Sequence, residues 1–119
     1  MAYNALLIER RKLLHERAGE ALESMFAERL DDHLADLARH YSRSDNISKA
    51  VEYLGRAGQQ AFQHAAYADA ISSLSAATAL LQTLPESRER IQREVHLLLA
   101  IGAALGVVRG NAAPEVEAA

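Results

Sequence analysis

Between residues 34 and 57 the chain spaces its side chains in a way that few folds accommodate. Leu34, Leu37, Ala38 and Tyr41 stand at i, i+3, i+4 and i+7; a polar stretch, SRSDN, follows; then Ala50, Leu54 and Ala57 resume the same periodicity. Steps of three and four place each set on one face of an α-helix. The residues of the break bond their own backbone and cap the helix that follows. Alanine at the crossing points lets two helix axes approach, and leucine and tyrosine fill the space beside them. The stretch reads as helix, turn, helix, with the two helices in contact.

The rest of the chain follows the same pattern. Residues 2–25 form a first helical segment, with Leu7, Leu14, Ala18, Ala21 and Met25 as a single apolar stripe and Arg10, Arg11, Lys12, Arg17, Glu20 and Glu23 mostly away from it. A second segment covers 28–43, with Leu30 joining the face of Leu34 to Tyr41 and with Asp31 and Asp32 near its positive end. The third covers 47–63 and the fourth 67–84, joined by HAA. The fifth opens at PESRER and ends near Val108, and RGNAAPEVEAA reads as a loop and the first turn of a sixth helix. The only prolines, Pro85 and Pro114, fall where helices would start. The apolar half of the composition is mostly Ala and Leu, with aromatics at 5%, and no alternating run suggests a strand. The expectation is an all-α fold of about five helices.

Numbered from Asp31, the register of Leu34, Leu37, Ala38, Tyr41, Ala50, Leu54 and Ala57 resembles the tetratricopeptide unit, a helix hairpin of about 34 residues. Tyr67, Ala70, Leu74 and Ala77 repeat the pattern of Ile47, Ala50, Leu54 and Ala57 at an offset of 20 residues. The third segment would then close one hairpin and open the next. Together AYNALLIERRKLLHERAGEALESMF, LADLARHYSRSDNISKAVEYLGRAGQQA and AYADAISSLSAATALLQTLP resemble a region of large bacterial signalling proteins. In these a signal-transduction ATPase module, often behind a class III adenylate or guanylate cyclase domain, precedes tetratricopeptide-like helices. The resemblance implies a short right-handed solenoid of antiparallel hairpins. It divides the chain into a linker helix following an ATPase core (1–26), the repeats (27–109) and the start of a truncated next helix (110–119). It further implies that the chain is a piece of a larger protein. By register, the groove-lining positions of the family fall on Asp32, Ala35, Arg39, Ser42 and Arg43.

Catalytic chemistry finds little footing. There is no cysteine, hence no thiolate zinc site or cysteine nucleophile, and neither a phosphate-binding G-x-x-x-x-G-K-[ST] nor a G-x-S-x-G motif occurs. His33, Asp36 and His40 share a helical edge, but metal sites usually need a tighter i, i+4 pair, and a solvated flank accounts for them better. His15, His64 and His96 have no partner at ligand spacing. Arg10, Arg11 and Lys12 concentrate positive charge, but Glu9, Glu16 and Glu20 offset it, and a net charge of −3 argues against nucleic acid. The apolar run 95–108 is short of the roughly 20 residues a bilayer span needs. Gly102 and Gly106 let a neighbouring helix come close.

The expectation is a cytoplasmic, non-catalytic protein–protein interaction and regulatory module with no cofactor, no metal, and no nucleic-acid or membrane partner. Its partner would be its own ATPase or cyclase core or another regulatory protein. Two alternatives stand beside it: a homo-oligomerisation module, and a small-ligand sensor with a pocket near Leu81 and Leu98.

Overall fold

A computed structural model describes residues 2–118, with side chains for residues 2–110. Helix α1 spans Ala2–Met25; a single 3-10 turn, Leu30–Asp32, leads into α2 (Leu34–Ser42); α3 (Ile47–Gln63), α4 (Tyr67–Leu81) and α5 (Arg88–Ala118) follow. The described residues contain no strand. The helices occupy an envelope of 61 × 32 × 30 Å. Each packs chiefly on its neighbours in sequence, α1 on α2, α2 on α3, α3 on α4 and α4 on α5, with a smaller contact between α3 and α5.

The boundaries have local causes. The Asn46 side chain accepts the Lys49 amide and caps α3, while Ser44 Oγ accepts the Asn46 amide and donates to the Tyr41 carbonyl at 2.7 Å. At the other end of α3 the amides of Ala66 and Ala65 return to the carbonyls of Ala61 and Phe62, with Ala65 at φ 60°. That is the left-handed helix stop usually given to glycine. Helix α5 begins at Arg88, with Ser87 Oγ accepting the Arg90 amide, so Pro85 lies in the connection before it.

Two apolar clusters hold the helices together. One joins Leu34, Leu37, Ala38 and Tyr41 of α2 to Ala50 and Tyr53 of α3, flanked by Leu22, Leu54, Ala57 and Leu80. The other joins Val51 of α3 to Leu74, Ala77 and Leu81 of α4 and Leu97 of α5. Ala70 is fully buried, whereas Tyr67 is half-buried, its ring edge-on to Phe62 at 5.4 Å. Gly58 lets α4 approach α3: a Cβ there would sit 2.6 Å from Leu74 Cγ.

Three features differ from the sequence expectation. The α1 stripe of Leu7, Leu14 and Met25 is 40, 55 and 71% exposed; α1 turns Gly19, its one buried residue, toward α2 instead, for reasons given below. The second segment is not one helix, because His33 separates the turn carrying Asp32 from α2. The loop and sixth helix expected at 110–119 are instead the last turns of α5, described through Ala118. Gly110 and Pro114 weaken a helix, but the surrounding Ala and Glu residues are strong helix formers.

Candidate functional site

The contacts that hold helix α1 to the rest of the chain centre on one carboxylate. Glu23 accepts hydrogen bonds from the hydroxyls of Tyr41 on α2 and Tyr53 on α3, and from Lys49 Nζ at 2.7 Å. The two tyrosine rings stack nearly parallel, centroids 5.7 Å apart. Burial alone would raise the Glu23 pKa; the hydrogen bonds from Lys49, Tyr41 and Tyr53 outweigh it and hold the carboxyl below its ordinary value. Burial, and then the bond to Glu23, push both tyrosine hydroxyls well above theirs. Beside this node the Tyr41 ring packs against Gly19, where a Cβ would stand 2.7 Å from Cε2. Further along α1, Asn46 Nδ2 donates to Glu16 at 3.0 Å, the His15 and His40 rings meet Nδ1 to Nδ1 at 3.0 Å, and Lys12 pairs with Asp45 at 3.3 Å. Burial, then the charges of Arg39 and His15, lower the His40 pKa.

These contacts leave a cleft of about 640 Å³ between α1, the α2–α3 turn and the end of α4, within the size range of ligand sites. Ile8, Ile47, Ala50 and Leu80 supply apolar walls, and Arg11, Lys12, His15 and Arg43 supply a basic rim. Asp45 also lines it, but is engaged by Lys12. Among the described residues no ion pair engages Arg11 or Arg43. Thirty-two positions apart in sequence, they are brought to one opening by the docking of α1.

Of the groove positions taken from the register, Ser42 and Arg43 line this cleft. Asp32, Ala35 and Arg39 are exposed elsewhere, and Arg39 meets Asp36 at 3.6 Å. The edge of His33, Asp36 and His40 is divided among three partners: His33 stacks on Phe26 at 3.8 Å, Asp36 meets Arg39, and His40 meets His15. Among the described residues no group of three or more metal-ligating side chains converges. Leu81 borders a separate cleft of about 290 Å³ with Pro85, Arg90 and Arg93, but Leu98 does not line it and lies on the outer face of α5, 52% exposed. Within Arg88–Gly110, α5 holds an 18-residue window of mean hydropathy 1.5, long and apolar enough to cross a membrane by length and composition.

Glu23 and Gly19 are residues that the sequence does not single out, and it notes Arg11 only as part of an offset positive run. A lone glycine inside a helical pattern is the only local sign of these two, and nothing in the positive run tells that Arg11 would meet Arg43. Comparison with models of known families, with curated proteins and with solved structures finds no match.

Proposed function

We propose that the chain is a non-catalytic protein–protein interaction and regulatory module, built as helix hairpins stacked in the tetratricopeptide manner. In this reading it works in the cytoplasm within a bacterial signalling protein that carries an ATPase or cyclase core. It takes an acidic segment of that core, or of a regulatory partner, in the cleft between α1 and α4. Packing of each helix on its sequence neighbours, with alanines at the contacts, supports the hairpin stack.

The observation that carries the reading is the cleft itself, an apolar trough rimmed by Arg11 and Arg43 in a chain whose net charge is −3. Guanidinium groups recognise carboxylates through paired hydrogen bonds, and an aliphatic side chain beside the carboxylate would fill the trough. Fluorescence polarisation with a short labelled peptide of alternating Asp and Leu, against its Lys–Leu counterpart, tests it. The acidic peptide should bind, and Arg11→Glu combined with Arg43→Glu should weaken it at least about tenfold. Equal affinity for both peptides, no binding of either, or indifference to the double variant would reject the assignment.

A further inference from the structure

Among the described residues the outer face of α5 is apolar and unpartnered. Ile91, Val95, Leu98 and Leu99 are 47, 49, 52 and 69% exposed, and steps of three and four carry the stripe on through Gly102 and Gly106. A Cβ at either glycine would meet nothing within 4 Å. The inner face, with Leu97 and Ala104, is buried. Glycine inside a helix costs about 1 kcal/mol relative to alanine, and packing within the chain does not offset that here. Two glycines one turn apart among large exposed aliphatics suit the close approach of another helix. A lipid surface gains nothing from them, because glycine adds no apolar area.

The stripe is graded, with bulky residues in its first half and glycines in its second, so it complements itself when reversed. An antiparallel pair of α5 helices centred on Gly102 sets Leu98 of each copy over Gly106 of the other. The same register brings Glu94, which within the chain meets Gln82 at 3.3 Å, to within one position of the opposing Arg109. A parallel pair does the reverse: leucine meets leucine, glycine faces glycine, and Glu94 and Arg109 each face their own kind. We propose that this face joins a second copy of the chain in a two-fold, antiparallel dimer centred on Gly102. It is independent of the α1–α4 cleft and survives if the peptide reading fails.

The absence of native cysteine makes the geometry directly testable. Gly102→Cys, which places the new thiol on the two-fold axis, should cross-link to itself under mild oxidation. Ser75→Cys, on the exposed face of α4, should not. Sedimentation should show a dimer at about 100 µM, and Leu98→Glu should make it monomeric with unchanged helicity. Glu94→Arg and Arg109→Glu should each raise Kd about tenfold, because the two-fold axis makes this exposed ion pair twice, and together restore it. A monomeric wild-type chain overturns the proposal, as does cross-linking at residue 102 no stronger than at 75, or a dimer indifferent to Leu98→Glu. Flotation with phosphatidylcholine vesicles, abolished by Leu98→Glu while Gly102→Cys fails to cross-link, assigns the face to lipid and also overturns it.

Discussion

Replacing Glu23 with alanine should cost the fold far more than its place in the sequence suggests. The carboxylate takes two hydroxyl bonds and one ammonium bond from two other helices. Hydrogen bonds to an ionised acceptor are each worth about 1.5 kcal/mol or more. The Lys49 ion pair contributes less, because 40% of the lysine side chain is exposed and solvent screens it. The node is therefore worth about 3 kcal/mol, carried mainly by Tyr41 and Tyr53, a large part of the 5–15 kcal/mol typical of a domain this size.

Urea denaturation followed by circular dichroism measures this, with Glu20→Ala on the exposed side of α1 as the control near zero. Two signatures separate the node from general destabilisation. Because its bonds hold the Glu23 carboxyl below 4.5, its stabilisation is complete above that value and is lost as pH falls through the lowered folded value. Glu23→Gln should remove that part of the acid dependence. The hydroxyls of Tyr41 and Tyr53 are held above 10.0, so Glu23→Gln should also bring tyrosinate absorbance in at lower pH. A Glu23→Ala variant within about 0.5 kcal/mol of wild type would refute the account of how α1 is held.

Two glycines should respond in opposite directions to alanine. At Gly19 the new methyl meets the Tyr41 ring, which the Tyr53 stack and the Glu23 bond keep from retreating; thermal denaturation should show a net loss of about 1–2 kcal/mol. At Gly55 the nearest atom, Leu97 Cδ2, is at an ordinary 3.6 Å, and improved helix propensity should stabilise by about 0.5–1 kcal/mol. Acid should also weaken the His15–His40 contact. The folded His40 pKa lies below its ordinary 6.5, so this part of the stability is present above 6.5 and falls as pH drops through the folded value; His40→Asn should flatten the dependence of unfolding free energy on pH below 6.5.

What was legible in the sequence was whatever local rules decide. Helix α3 runs Ile47–Gln63 as its spacing predicts, because the Asn46 cap and the turn at Ala65 act within a few residues of the ends. The all-α class follows from the same periodicity. The packed face of α1 was not legible, because apolar spacing points to Leu7, Leu14 and Met25 while partners on other helices select His15, Glu16, Gly19 and Glu23. In sequence Glu23 is an ordinary surface glutamate; only the tyrosines 18 and 30 positions later give it a role. The groove register reached Arg43 but not Arg11, since a consensus for one hairpin carries no information about the helix docked across it.

The chemistry that holds α1 also governs the cleft. Its contacts to α2 and α3 are largely polar: Glu23 with Tyr41, Tyr53 and Lys49, Glu16 with Asn46, His15 with His40, Lys12 with Asp45. Such bonds exchange for water at a net of about 1 kcal/mol apiece, and the exposed stripe of Leu7, Leu14 and Met25 adds nothing to docking. Yet Ile8, Arg11, Lys12 and His15 form one whole wall of the cleft, so the cleft exists only while α1 is docked. A ligand bridging Arg11 on α1 and Arg43 after α2 therefore favours docking by the same factor as docking favours the ligand, because such coupling is reciprocal. Under the proposed function, occupancy of the cleft is read out at the N-terminal helix.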